Sequence, residues 1–291
     1  MRKPMVKITI DVFSGRENPE IAVPSKKIID YVERMTPRGD KARREVGLPP
    51  VPTLGYRGLV VEAEGIEGFK LPRSFRVVDG HAIGPDFSVP LADQMFEDFV
   101  CGSVPKEFRR DLLVEEIDRF RYTLDYWRKW RWDDLVVWPK KKPCKCAPLY
   151  EPQWWNQSWI QPYNNCYNYS TNYRTNTYAQ PGRAASAQYA SLTCSAVKAA
   201  SIADQLIDSP GSNNKCPAEG HLVALVVAPD WDYHWYRKGR DGSWSHKPGG
   251  TAVTNLDNSG NQISDPRSAD RGPYTEFCTF MVVKHGHIKI N

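Results

Sequence analysis

The sequence predicts an α+β protein with an N-terminal mixed α/β domain at residues 1–138 and a second domain at residues 159–291. Three observations predict this class. The first half mixes strand-like alternating runs with helix-compatible runs. The second half gives two helical segments followed by several short strands, which indicates helices packed on an antiparallel sheet. Residues 139–158 between them are rich in proline, lysine and tryptophan, and we expect a linker or a crossing segment there.

The secondary structure of the first half is predicted from four kinds of sequence segment. "VKITIDVF" alternates apolar and polar residues, as a half-buried strand does. "SKKIIDYVERM" has helical spacing with Ser25 as its N-cap. "GLVVEAE" and "SFRVVDG" are short strands. "VPKEFRRDLLVEEIDRFRYTLDYWRKW" is predicted to form one or two helices.

The second half begins with "NNCYNYS", where we expect Cys166 to precede or open a helix. "AASAQYASLTCSAVKAASIADQL" is rich in small residues and is predicted to be helical. "HLVALVVAP" is a short apolar run typical of a buried strand. "DYHWYRK" and "SWSHKPG" flank a turn signal at Asp241-Gly242 and predict a hairpin. "TEFCTFMVVKHG" is predicted to be the final strand.

Composition and charge exclude several function classes. The 291 residues are 41% hydrophobic and 25% charged, with a net charge of +5. The basic residues are interleaved with acidic ones, so we predict no nucleic-acid partner. No apolar run approaches the roughly 18 residues of a membrane span. The N-terminus lacks a secretory signal, so we expect synthesis in the cytoplasm and any export by another route.

Seven cysteines are too few for a disulfide scaffold in a chain of this length. Cys144-Lys-Cys146 does not have zinc-ligand spacing, and we predict a surface pair there, with no metal site and no cofactor. Cys166 has four open interpretations: a buried structural thiol, a disulfide partner of Cys194 or Cys216, a metal ligand, or a nucleophile.

His234 and His246 lie twelve positions apart on the predicted hairpin. A two-residue turn at Asp241-Gly242 would place His234 opposite Gly249 and His246 opposite Arg237. The two histidines are then diagonal neighbours, and a register slip or bulge would bring them closer. A cysteine nucleophile needs a base, and the base works better when a third polar group holds its other ring nitrogen.

The ordered set "NNCYNY", "GHLVALVV" and "DYHWYRKGRDGSWSHKPG" resembles the core of the NlpC-type cysteine peptidases, with CHAP-like amidases as a related group. The resemblance covers residues 160 to 285 and implies a papain-like domain. It implies Cys166 as nucleophile, His234 as base and His246 as the orienting residue. The third role has three further candidates: Asp232, Asn255 and Asp257.

The resemblance also implies an oxyanion donor upstream of the nucleophile. Gln161 is the first candidate, with Gln157, Asn164 and Asn165 as rivals. The family's usual Asp-Cys-Ser-Gly is replaced here by Asn-Cys-Tyr-Asn, which leaves the substrate open. Trp155, Trp159 and Trp235 are predicted to stack on substrate, with packing of the surrounding segment as the alternative.

The predicted function is therefore a cysteine peptidase or amidase that cleaves an amide of a peptide or peptidoglycan-like substrate. The N-terminal domain would act as an adaptor or contact a secretion machine, as in an effector or toxin. The alternatives are a binding or structural protein with an aromatic, asparagine-rich recognition surface, and an acyltransferase or transglutaminase that uses the same residues.

Overall fold

The computed structural model describes residues 5–26, 28, 53–63, 73–78, 81–84, 87–90, 95–104, 108, 112–113, 115–117 and 143–291. The chain divides into two compact units. Unit 1 comprises Met1–Val12, Asn18–Val51 and Tyr56–Arg121. Unit 2 comprises Phe13–Glu17, Pro52–Gly55 and Tyr122–Asn291. Two short stretches of the N-terminal half therefore belong to unit 2.

The described part of unit 1 is an antiparallel sheet of six strands in the order β2-β1-β3-β4-β5-β6. Strand β1 confirms the strand predicted from "VKITIDVF", because Val6, Ile8 and Ile10 are buried on alternate positions. Of the helix predicted from "SKKIIDYVERM", the described residues Ser25, Lys26 and Ile28 are helical. The rest of that run and most of the helical run after Val104 lie outside the described residues. The strands and the helix α1 are β1 (Met5–Ile10), β2 (Glu20–Pro24), β3 (Leu59–Glu62), β4 (Ser74–Val78), β5 (His81–Gly84), β6 (Phe87–Pro90) and α1 (Met95–Gly102).

The described part of unit 2 contains a five-stranded antiparallel sheet in the order β10-β9-β8-β11-β7. Short 3-10 turns at Gln161–Tyr163 and Pro210–Ser212 separate some of its elements. Its helices and strands are α2 (Pro152–Trp155), α3 (Cys166–Thr171), α4 (Cys194–Ala203), β7 (Ile207–Asp208), β8 (His221–Ala228), β9 (Asp232–Lys238), β10 (Trp244–His246) and β11 (Glu276–Val283).

The core of unit 2 lies between its helices and the sheet. Helix α3 packs against β9, and α4 packs against β8 and β11. Every residue of β8 is buried, which confirms the buried strand predicted from "HLVALVVAP". The core cluster includes Cys166, Tyr167, Val197, Leu225, Tyr233 and Trp235.

Helix α4 is shorter than the helical segment predicted from the sequence. Its N-cap is Thr193, whose hydroxyl accepts a hydrogen bond from the backbone N–H of Ala196 at 3.3 Å. The preceding residues form turns, with Gly182 and Ser186 at positive φ. Alanine-rich composition favours a helix, but the threonine cap and these turns set where it begins.

Two disulfides cross-link unit 2: Cys144–Cys216 and Cys194–Cys278. They replace the pairings considered for Cys166 and the surface pair expected at Cys144 and Cys146. Cys146 is free and exposed, and Cys166 is free and buried. Cys194 opens α4 and Cys278 lies in β11, so this bond fastens the helix to the sheet.

The part of the predicted linker that the structure describes is tied into unit 2. The backbone N–H of Cys144 donates to the carbonyl of Arg240 at 2.8 Å, and the N–H of Arg240 donates to the carbonyl of Pro148 at 2.9 Å. With the Cys144–Cys216 bond, these contacts hold residues 143–150 against the hairpin end.

The protein is thus an α+β structure with two antiparallel sheets. The described residues contain no helix that is both long enough and apolar enough to span a bilayer.

Candidate functional site

Cys166 is the first residue of helix α3, as the sequence predicts. The helix begins there because Asn165 caps it. The Asn165 side-chain oxygen accepts hydrogen bonds from the backbone N–H groups of Tyr167 (3.0 Å) and Asn168 (3.1 Å). Asn168 returns the contact by accepting from the Asn165 N–H at 3.2 Å, which completes a capping box. Asn172 then ends the helix in a left-handed conformation. The asparagines at 165, 168 and 172 therefore set where the helix begins and ends.

The β9–β10 hairpin differs from the predicted register by one residue. His246 pairs with Tyr236 and Trp244 pairs with Lys238, because residues 239–243 form the connection and not Asp241-Gly242 alone. A shift of one residue exchanges the faces of a strand. His234 and His246 consequently share a face, and His234 Nε2 lies 2.9 Å from His246 Nδ1.

The hydrogen bonds around these rings assign their tautomers. His246 Nε2 lies 2.9 Å from the backbone carbonyl of Leu256, which can only accept a hydrogen bond. His246 therefore carries its proton on Nε2 and accepts at Nδ1. His234 must then donate from Nε2, so in the neutral ring Nδ1 is the basic nitrogen. The Leu256 carbonyl thus sets which atom of His234 can take a proton.

His246 is neutral at physiological pH. Burial lowers the pKa of His246 to about 4, against a smaller upward effect of the hydrogen bond to Leu256. A neutral His246 can hold the His234 ring by accepting its N–H. It does so without placing a second positive charge beside it.

The groups around Cys166 shift the pKa of its thiol in opposite directions. Burial raises the pKa of the Cys166 thiol well above its ordinary value, and the charge of Asp232 raises it further. A backbone hydrogen bond from Trp235 and the charge of Lys247 lower it. The sum favours a protonated thiol, so a nucleophilic Cys166 needs a base to remove its proton.

Cys166 and His234 lie on packed elements, α3 and β9. Tyr233 and Trp235, which flank His234, belong to the core cluster that contains Cys166. Since side chains alternate along a strand, the His234 ring lies on the other side, near Tyr236, His246 and Tyr274. A direct contact between the Cys166 sulfur and the His234 ring stays a prediction.

The three tryptophans predicted to stack on substrate occupy different environments. Trp155 is 1% exposed and packs edge-on against Tyr169, with ring centroids 5.1 Å apart. Trp235 is 0% exposed and lies in the main core cluster. Both are packing residues, because neither presents ring surface to solvent. Trp159 is 67% exposed and is the one of the three that could meet a ligand.

Gln161, the predicted oxyanion donor, lies in the 3-10 turn before α3. Its backbone carbonyl accepts from Lys247 Nζ at 2.7 Å. Lys247 is buried and also donates to the carbonyl of Gly249 at 2.8 Å. Lys247 is not predictable from the sequence, since a single lysine after a histidine carries no recognisable signal.

Asp232, an alternative candidate for the third residue, binds backbone and tyrosine donors in the described structure. Its carboxylate accepts from the backbone of Ser14, Gly15 and Arg16 and from the Tyr274 hydroxyl. Within the described residues, no group of three histidine, cysteine or acidic side chains is arranged to hold a metal ion.

Comparison with known proteins gives one informative match. No known family model matches the chain, and no solved structure is significantly similar to it. Insoluble matrix shell protein 1 of Ruditapes philippinarum is 46% identical over 140 residues, which are 47% of this chain and 91% of the relative. On that identity and coverage, the chain belongs to the family of insoluble matrix shell protein 1.

Proposed function

We propose that unit 2 is a papain-like thiol hydrolase in which Cys166 is the nucleophile, His234 the base and His246 the residue that orients the base. The observation that carries the proposal is the contact of 2.9 Å between His234 Nε2 and His246 Nδ1. His234 lies on β9, against which the helix opened by Cys166 packs. Because its ring lies on the face of β9 away from the cluster that contains Cys166, the proposal requires the ring to move toward Cys166 for proton transfer. An orienting partner on one ring nitrogen is what a cysteine–histidine mechanism requires of its base.

The proposed reaction has two steps. His234 Nδ1 takes the thiol proton while the Cys166 sulfur bonds to an amide carbonyl carbon, and the same proton passes to the departing amine as the C–N bond breaks. Water then attacks the thioester with His234 as base, which releases the acid and restores the thiol. The backbone N–H of Cys166 and the Gln161 side chain are the proposed oxyanion donors. The proposed substrate is a peptide or peptidoglycan-like amide.

A second candidate function is a structural role in an extracellular matrix, without catalysis. Family membership favours it, because the relative is described as an insoluble matrix protein of shell. The two disulfides favour an oxidising compartment, which is typical of secreted proteins. Under this candidate Cys166 is a buried packing thiol, and its burial has no chemical consequence.

The ratio of two alkylation rates separates these candidates. We expect iodoacetamide at pH 6.5 to modify Cys166 about a hundredfold faster in the unchanged protein than in His234→Ala, since a general base is worth about 10²–10⁴-fold. Peptide mapping by mass spectrometry identifies the modified cysteine. Any shielding of the sulfur that is common to both proteins cancels in this ratio.

His221→Ala is the matched control, because His221 is also a fully buried histidine of the same sheet. The rate at Cys166 in the unchanged protein should be about equal to the rate in His221→Ala. His234→Gln keeps a polar side chain of similar size and replaces His234→Ala if the latter does not fold. Equal Cys166 rates with and without His234 would favour the structural candidate.

A further inference from the structure

The carbonyl oxygen of Gly15 lies among three side-chain donors. Asn165 Nδ2 donates to it at 2.7 Å and Gln180 Nε2 at 2.8 Å. The Tyr233 hydroxyl lies 3.0 Å from the same oxygen and 3.1 Å from Gln180 Oε1. A backbone carbonyl has two lone pairs, so this set more than satisfies it. All three side chains are buried, and they come from separate segments of unit 2.

The amide groups around Gly15 meet a single carboxylate. Asp232 accepts from the backbone N–H of Ser14 at 2.6 Å, of Gly15 at 3.3 Å and of Arg16 at 3.2 Å. Consecutive N–H groups that converge on one anion form a nest. The Tyr274 hydroxyl donates to the same carboxylate and fixes its position. Side chains thus bind the carbonyl of Gly15 and the N–H groups of residues 14–16.

Only glycine fits at the centre of this arrangement. A Cβ atom on Gly15 would lie 2.5 Å from two ring atoms of Tyr233 and 2.6 Å from the Tyr233 carbonyl oxygen. Beside it, the Arg16 guanidinium donates to the carbonyl of Trp231 at 3.1 Å and lies 4.5 Å from the Phe13 ring centre. The surroundings therefore admit only glycine at position 15, and the Trp231 carbonyl accepts a hydrogen bond from the side chain of the next residue.

We propose that Asn165, Gln180, Asp232 and Tyr233 form a binding site for a glycine-containing peptide backbone, which the chain's own residues 14–16 occupy. The ligand class is a Ser-Gly-Arg segment, supplied in cis here and accepted in trans when the cis segment is displaced. The inference does not require that Cys166 hydrolyses anything.

Occupancy of this site has a consequence for Cys166. Asn165 immediately precedes Cys166, and Tyr233 lies in the same core cluster. The segment is held by Asn165, which caps the start of α3. Its release removes this contact, and we expect the exposure of the Cys166 sulfur, which is 0% exposed in the folded chain, to increase.

The test uses the full chain with Gly15→Ala, whose new methyl group should expel the cis segment. The probe is a fluorescent peptide with the sequence of residues 11–20, DVFSGRENPE. We expect Gly15→Ala to bind this peptide, and to bind it about tenfold or more tightly than the unchanged protein does. In the unchanged protein the cis segment competes at an effective concentration on the order of millimolar.

Gly211→Ala is the matched control, because no atom lies within 4 Å of a Cβ at Gly211. It should bind the peptide as weakly as the unchanged protein. A second peptide with alanine in place of glycine should not bind to Gly15→Ala. The inference is overturned if folded Gly15→Ala binds neither peptide or binds both equally.

Tyr233→Phe keeps the proposal testable if Gly15→Ala does not fold. It deletes the hydroxyl near the Gly15 carbonyl and adds no steric clash. We expect it to raise the rate at which iodoacetamide modifies Cys166 several-fold. An unchanged rate would show that the Tyr233 hydroxyl does not help to hold the cis segment at the start of α3, which would count against Tyr233 as part of the site.

Discussion

Reduction of the two disulfides should lower the free energy of unfolding of unit 2 by about 4 kcal/mol for each bond. The bonds join residues 72 and 84 positions apart, so each removes a large loop-closure entropy from the unfolded chain. Urea unfolding with and without dithiothreitol, followed by near-ultraviolet circular dichroism, measures the change. A loss of about 8 kcal/mol is comparable to the whole stability of an ordinary domain, so the reduced unit should be largely unfolded.

Paired alanine variants assign the effect to each bond. The variants are Cys144→Ala with Cys216→Ala, and Cys194→Ala with Cys278→Ala. Cys146→Ala is the control, since Cys146 is exposed and free two positions from Cys144. It should cost no more than about 0.5 kcal/mol. Unfolding midpoints that do not respond to dithiothreitol would show that the disulfides do not form or do not matter.

Acid should destabilise unit 2 from about pH 6.5 downward, because two buried histidines are held neutral. Burial lowers the pKa of His246 to about 4 and that of His221 to about 3. A group whose folded-state pKa lies below its unfolded value stabilises the fold above the unfolded pKa. That contribution is lost as the pH falls toward the folded pKa. By pH 5 each histidine should cost about 2 kcal/mol.

The geometry of His221 explains why its protonation is unfavourable. Its Nε2 donates to the carbonyl of Ser170 at 2.6 Å, and its buried Nδ1 has no hydrogen-bond partner among the described residues. A second proton would sit on Nδ1. His221→Gln keeps a donor for Ser170 and cannot be protonated, so it should reduce the loss between pH 7 and pH 5 by about half. A urea midpoint that is equal at pH 7 and pH 5 in the unchanged protein would contradict this assignment.

The sequence predicted the strands of unit 2 well because their apolar runs are short and bounded by turn residues. The resemblance to the NlpC-type peptidases also placed Cys166 at a helix start, where the structure shows Asn165 as the N-cap. The hairpin register was wrong by one residue, because the Asp-Gly signal suggested a two-residue turn and the connection spans residues 239–243. That single residue decides whether His234 and His246 share a face.

Other features have no local sequence signal. The Ser14–Arg16 segment is more than 200 positions from Asp232, and no pattern links a turn-rich tripeptide to a distant aspartate. The disulfide pairings likewise depend on how α4 and residues 143–150 meet the sheet. The tryptophans were predicted to stack on substrate, but Trp155 and Trp235 are buried in the core and present no surface to a ligand.

The pH dependence of alkylation at Cys166, measured against Cys146 in the same molecule, tests the proposed nucleophile most directly. Alkylation of an ordinary exposed thiol slows about tenfold for each pH unit in the acid range, because only the thiolate reacts. Cys146 is exposed and free and serves as this reference. If His234 activates Cys166, the rate at Cys166 stays nearly level between pH 8 and pH 6, and the Cys166-to-Cys146 ratio rises about a hundredfold. If burial alone governs Cys166, its rate is below that of Cys146 at every pH and falls with the same slope, which would contradict a Cys166–His234 pair.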